Sequence, residues 1–217
     1  MGRTKQQALD TRAKIIDAAE RVFFVRGFAR AALEDIASEA GVTRGAVYGH
    51  FRNKEAVFQA IYECADMPLD PFVVQSCEQD ADPLQHLHAQ LLQRLRDALH
   101  LRRARRLYSI ALTKCEVTAE TAAFYERVAM AALRAEAQID AALRAASLRG
   151  QLPPDLDTRA AAGFIHAALT GFLHKRLLMS AEPRADLEAE QTLASALRCV
   201  GGDMVFDAIS TSAPSPA

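Results

Sequence analysis

Apolar residues recur along this chain with a helical period. Ile15, Ile16, Ala19, Val22 and Phe23 fall on one face of a segment covering about Thr11–Arg26, and Gly27 stands where a C-terminal cap belongs. Leu33, Ile36, Ala37 and Ala40 repeat the pattern over a short helix of about Ala32–Ala40, which Gly41 stops. Thr43 is placed to cap a third helix running to about His50, and Asn53 a fourth that carries Val57, Phe58 and Ile61. Pro68 and Pro71 then interrupt the pattern and are expected to act as a hinge.

Asp82-Pro83 opens a fifth helix with a leucine stripe at Leu84, Leu87, Leu91, Leu95 and Leu99. Further helices are expected at about Arg103–Lys114, Ala119–Leu148, Thr158–Met179 and Arg184–Cys199, with breaks at Pro153-Pro154 and Pro183. Alternating β-branched runs are missing. The pattern therefore predicts an all-α fold of about nine helices: a three-helix module over residues 1–54, a larger helical body over 55–210, and a mobile Ser/Pro/Ala-rich tail at 211–217.

Composition adds limits. Half of the residues are hydrophobic and 24% are charged, which excludes disorder for the bulk of the chain. The longest nearly apolar stretch, residues 160–173, is too short to span a membrane. The polar N-terminus shows no secretory signal, and Cys64, Cys77, Cys115 and Cys199 are widely spaced with no C-x-x-C pair, so a reducing cytoplasm is expected. The net charge of −1 divides unevenly. Residues 1–54 carry +4 and the remainder −5, which points to a polyanionic partner for the N-terminal module alone.

Helix 2, the tight Gly41-Val42 turn and helix 3 have helix-turn-helix proportions. Ala46, Val47 and Phe51 are placed to face the module's core. Arg44, Gly45, Tyr48 and Gly49 are left on the outward side, flanked by His50 and Lys54. That spacing alone also fits an ordinary three-helix bundle with a solvated charged face.

The stretch Ala40-Gly41-Val42-Thr43-Arg44-Gly45-Ala46-Val47-Tyr48-Gly49-His50-Phe51-Arg52-Asn53-Lys54, with Ile36-Ala37 before it, closely resembles the DNA-binding domain of TetR-family repressors. The opening T-K-Q-Q-A-L-D-T-R-A-K-I-I-D-A-A, Lys114-Cys115-Glu116 and the Arg149–Pro153 corner are similar to the AcrR branch, which controls multidrug efflux pumps. The resemblance implies a homodimer on a palindromic double-stranded operator, with one recognition helix per major groove. It places Thr43, Tyr48, His50 and Lys54 on phosphates and makes Arg44 the candidate base contact, bidentate to guanine. Gly49 stands where close relatives often carry tryptophan. Ala31 stands where many have a Ser or Thr cap, so that Ala31-x-x-Glu34 is a broken capping box, with Arg30 left to supply a phosphate contact.

Helix 8 is apolar nearly all round. His166, Leu169, Thr170 and Leu173 form one face, Phe164, Ala168, Phe172 and Lys175 lie roughly opposite, and Gly163, Ala167 and Gly171 form a small-residue ridge. One face is expected to line the body's interior and the other to meet a second subunit, in agreement with the resemblance, which implies dimerisation through the last two helices. It also implies a small, mostly apolar or amphipathic effector inside the body. The candidate wall is Leu87, Gln90, Leu91, Arg94, Tyr108, Leu112, Ile139, His166, Leu169, Thr170 and Leu173, with Gln90, Tyr108, His166 and Thr170 as its polar groups. A leucine stripe with one hydrogen-bonded histidine also fits plain core.

His86 and His88 diverge on a helix, and no nucleotide loop, zinc-protease motif or nucleophile–histidine pair is present, so neither a cofactor, a metal nor an enzyme is expected. The reading is an effector-responsive repressor of a multidrug efflux operon. Its rivals are a family member that binds DNA without an effector, and a small-molecule-binding helical protein with a vestigial head.

Overall fold

The computed structural model describes residues 2–65, 67–76, 80–179 and 184–201. Cys77, Pro183 and the expected tail at 211–217 lie outside them. The described residues form nine helices: α1 (Gly2–Arg26), α2 (Leu33–Ala40), α3 (Arg44–His50), α4 (Lys54–Glu63), α5 (Pro83–His100), α6 (Arg102–Thr113), α7 (Ala122–Leu148), α8 (Thr158–Leu178) and α9 (Ala185–Gly201). No strand occurs among the described residues.

Helix α1 begins nine residues before the expected start at Thr11. Residues 2–10 contain no proline, and Gln6 Nε2 donates to Asp10 Oδ1 at 2.9 Å one turn away, so a mostly polar extension with a single exposed leucine, Leu9, stays helical. Helix α7 starts later than expected. Thr121, buried, accepts from the Thr118 N–H at 2.9 Å and donates to the Glu116 carbonyl at 2.6 Å, which holds residues 116–121 as a turn.

The chain divides into two compact units. The first comprises Met1–Met67 and Arg102–Arg127, so α4 and α6 pack with the three N-terminal helices. Its centre is an aromatic cluster. The Phe58 ring lies 5.0 Å from Phe28, 5.2 Å from Tyr62, 5.7 Å from Phe23 and 4.7 Å from Phe124, mostly edge to face. Helix α6 is fastened to this cluster by polar contacts. The Tyr62 hydroxyl donates to the Leu107 carbonyl at 3.0 Å, and the Tyr125 hydroxyl lies 2.8 and 2.7 Å from the Ala111 and Cys115 carbonyl oxygens. Buried Glu20 on α1 receives Arg103 and Arg106 of α6, at 3.2 and 3.1 Å. None of these long-range pairs shows as periodicity.

The second unit comprises Pro68–Leu101 and Val128–Ala217. Within it the leucine stripe of α5 is wholly buried. Asp82 caps α5 by accepting from the Gln85 N–H at 2.9 Å, and Gln151, just past the left-handed Gly150, donates to the same carboxylate at 2.7 Å. Helix α8 buries Ile165, His166, Leu169 and Leu173, and packs on α5 and α9. Its other side is open. Phe164 is half exposed, and a Cβ added at Gly163 or Gly171 would meet nothing within 4 Å.

Candidate nucleic-acid interface

Between α2 and α3 the chain turns in three residues. Gly41 takes φ +66°, a conformation that costs an L side chain strain, and its N–H bonds the Ser38 carbonyl while the Val42 N–H bonds that of Ala37. Thr43 then caps α3, with its Oγ1 accepting from the Ala46 N–H at 3.2 Å. A hydroxyl used as acceptor keeps its own proton, so Thr43 can cap the helix and still donate to a phosphate. Val47 and Phe51 are buried, as the pattern predicts, and Ala46 is half-buried. Thr43, Arg44, Gly45, Tyr48 and Gly49 are exposed along one side of α3, with His50 half-buried beside them. A Cβ at Gly49 would meet nothing within 4 Å, so that face of the helix is bare enough for close approach.

Arg44 is exposed but not idle. Its Nε pairs with Glu34 at 2.9 Å, an Nη donates to the Tyr48 hydroxyl at 3.3 Å, and its guanidinium lies 5.3 Å from the Tyr48 ring centre. The Tyr48 hydrogen bond and the Glu34 carboxylate both push its pKa up. Glu34 therefore holds the guanidinium and competes with whatever the arginine approaches.

Two expectations at the edge of this face need correction. The cap of α2 is Ala32, not Ala31, which is buried. Asp35, at the third helical position, accepts from the Ala32 N–H at 3.0 Å, so half of a capping box survives and Arg26 neutralises the carboxylate at 2.8 Å. The same four-residue spacing occurs one position earlier, at Ala31-x-x-Glu34, and the fold does not use it there. Lys54, expected on a phosphate, is turned into the module. Its Nζ donates to the Phe28 and Ala29 carbonyls at 2.8 and 3.3 Å and lies 4.4 Å from the Phe28 ring centre. It ties the α1–α2 turn to the start of α4. Replacing Lys54 with methionine is expected to cost about 1–3 kcal/mol of stability and to leave the salt dependence of DNA binding unaltered. A salt slope lowered by about one would instead put its ammonium on a phosphate. Arg30 is exposed, with its Nε on the Arg26 carbonyl at 3.2 Å.

The expected effector wall draws on both units. Tyr108 and Leu112 of α6 belong to the first, where Tyr108 is buried and Leu112 half-buried. In the second unit Leu87, Leu91, Ile139, His166, Leu169 and Leu173 are all buried, and Arg94 is half-buried. Among the described residues the buried Thr170 hydroxyl has no hydrogen-bond partner. Gln90 and His166 are engaged. Gln90 accepts from the Gln75 N–H at 2.6 Å and donates to the Gln75 carbonyl at 3.3 Å. His166 Nε2 lies 2.9 Å from Asp70 Oδ2, and its Nδ1 lies 3.4 Å from Glu136 Oε1.

Burial pushes the His166 imidazole down, but the hydrogen bond and charge of Asp70, helped by Glu136, outweigh it and leave its pKa raised. A raised histidine pKa stabilises the fold fully below the unfolded value of about 6.5, and the contribution is lost as pH rises through the folded value. His88 works the other way. Burial, opposed by Glu190 and aided by Arg96, lowers its pKa, so its contribution is lost as pH falls. The test is therefore a difference: the unfolding free energy of wild type minus that of His166→Gln should be largest near pH 6 and shrink toward alkaline pH. A difference constant with pH would contradict the pairing.

A capped three-residue turn between two short helices, with a bare, partly basic outer face on the second, defines a helix-turn-helix DNA-binding protein. Residues 15–61 match the model of bacterial regulatory proteins of the tetR family, and residues 82–201 match that of the MAATS-type transcriptional repressor C-terminal region. The chain belongs to the TetR family of bacterial transcriptional regulators. It is 40% identical over 178 residues to the HTH-type transcriptional regulator TtgR of Pseudomonas putida, a match covering 82% of this chain and 85% of that one. Among solved structures it is similar to NalD, the secondary repressor of the MexAB-OprM multidrug efflux pump in Pseudomonas aeruginosa. There the TM-score is 0.75 at 30% identity, over 91% of this chain and 99% of that one. It is likewise similar to SmeT, the repressor of the Stenotrophomonas maltophilia pump SmeDEF, in its complex with triclosan. That match has a TM-score of 0.73 at 32% identity, over 96% of this chain and 99% of that one. No helix of the described residues is long and apolar enough to cross a membrane, and no three His, Cys, Asp or Glu among them gather as a metal site requires.

Proposed function

We propose that this protein is a homodimeric repressor of a multidrug efflux operon, binding a palindromic operator through α3 and released from it by a small, largely apolar effector held in the second unit. The observation that carries the reading is the exposed side of α3, where Thr43, Arg44 and Tyr48 stand clear of side chains at Gly45 and Gly49. Thr43, Tyr48 and His50 meet phosphates there, and Arg44 reads a base edge.

Dimerisation has its own support. The open side of α8 and the neighbouring face of α9 enclose a groove of about 410 Å³ lined by Phe164, Phe172, Gln191, Thr192 and Cys199 among others. Half-exposed Phe164 beside open glycines is the kind of face that a second copy covers. The effector reading draws on the buried wall of the second unit and on Thr170, whose buried hydroxyl waits for a partner. It also draws on the triclosan complex of SmeT, a repressor 32% identical to this chain. The operon assignment rests on the two efflux-pump repressors alone.

Gly171→Arg tests the dimer. A Cβ there meets nothing within 4 Å among the described residues, so the single subunit should keep its stability. Sedimentation is expected to show a dimer for wild type and a 23.7 kDa monomer for the variant, with operator affinity falling in parallel. A wild type that sediments as a monomer at micromolar concentration would remove the dimeric repressor.

A further inference from the structure

Past Cys64, which ends α4, the chain enters the second unit and runs without helix from Pro68 to Ser76. This segment is not a surface loop. Asp70, Pro71, Phe72 and Val74 are buried, and Phe72 is wholly so, with its ring edge-on to His166 at 5.9 Å between centroids. Three helices hold it by three side chains. His166 of α8 takes the Asp70 carboxylate, whose other oxygen accepts from the Phe72 N–H at 2.8 Å. Gln138 of α7 accepts from the Val74 N–H at 3.1 Å. Gln90 of α5 pairs with both backbone groups of Gln75, as a neighbouring strand would. Prolines at 68 and 71 lower the entropy lost when such a segment is fixed.

Two of these three anchors, Gln90 and His166, are among the four polar residues expected in the effector wall. In the free protein they are saturated by the chain itself. We infer that residues 68–76 form an internal strap that competes with the effector for Gln90 and His166, and that the docked strap belongs to the operator-binding form. An effector that displaces it must offer His166 an oxygen acceptor in place of the Asp70 carboxylate and Gln90 an amide-like edge in place of the Gln75 peptide. Release of the strap frees the segment that is continuous with α4, and α4 packs in the same unit as the recognition helix. The inference rests on the repressor reading above, and linkage makes it testable without knowing the effector. If the docked strap favours operator binding, operator binding must favour the docked strap by the same factor.

The experiment is amide hydrogen exchange of the 68–76 segment in the full chain, with and without a duplex that the wild type selects from a random library. Gln138→Leu and Asp70→Ala each remove one anchor, the first with little change of shape. In wild type, saturating duplex is expected to slow exchange of the segment several-fold. Each variant should speed it about tenfold in the free protein, as loss of one buried hydrogen-bonding anchor implies, while saturating duplex still slows it by the same several-fold factor as in wild type, since operator affinity itself follows only the docked fraction. Exchange that ignores the duplex, in wild type or in the faster-exchanging variants, would overturn the inference. Should Asp70→Ala unfold, Gln138→Leu still decides. A wild type that selects no preferred sequence would instead remove the repressor reading itself, which keeps the two failures apart.

Discussion

Arg44→Ala is expected to weaken binding to the preferred operator by about one to two orders of magnitude and to relax the choice of base where the arginine lands. The guanidinium projects from the first turn of α3 and is two-thirds exposed. A bidentate pair with guanine is worth about 1–3 kcal/mol of discrimination, and alanine forfeits it. The size of the loss is moderated by what the free protein already does with the group. Glu34 at 2.9 Å and the Tyr48 hydroxyl must be left or shared before the arginine reaches a base. Glu34→Gln removes the competing charge and is expected to tighten operator binding while leaving the preferred sequence unaltered. Binding of the Arg44→Ala protein to the selected duplex and to single-base variants of it checks both parts. Uniform weakening across all variants would make Arg44 a phosphate contact and not a reader.

The second large effect is on stability. Phe58→Ala removes the ring at the middle of the aromatic cluster, where it meets Phe23, Phe28, Tyr62 and Phe124. With the side chain 1% exposed and four rings around it, the vacated space cannot close fully, and the cost is expected at about 3–5 kcal/mol. Against a total of about 5–15 kcal/mol for a typical domain, that loss threatens the first unit as a whole. Operator binding should fail together with folding, because the ring carries both α4 and the α1–α2 turn that Lys54 braces. Chemical denaturation of the full chain, followed at the tyrosines, gives the number. A loss below about 1 kcal/mol would mean that the cluster is loosely packed and does not organise the recognition helix.

Local features were legible in the chain because they depend on residues a few positions apart. Thr43, Asn53 and Asp82 cap their helices, Gly27 and Gly41 take left-handed turns, and the α5 leucines are buried. Spacing also placed Arg44, Tyr48 and the two outward glycines on one side of α3. What the pattern missed depends on partners distant in sequence. Asp70 and His166 are 96 positions apart, and no periodicity links a carboxylate in a proline-flanked segment to a histidine on an apolar helix. Lys54 looked like a surface cation because nothing in its neighbourhood announces the Phe28 and Ala29 carbonyls it meets. Nothing in the spacing of the arginine run at the start of α6 points to Glu20 on α1, to which Arg103 and Arg106 fasten that helix. The early part of α1 escaped for the opposite reason: a helical stretch with one exposed leucine, Leu9, has no apolar stripe to reveal it.

The central claim is sequence-specific binding by a two-fold dimer, and selection from a random duplex library tests it most directly. The full chain should enrich a pseudo-palindrome whose half-sites stand about one helical turn apart, and its affinity for that duplex should fall steeply between two salt concentrations. Enrichment of no sequence, or binding that depends on salt but not on sequence, would contradict the account and leave only a basic N-terminal module attached to a helical body of other purpose.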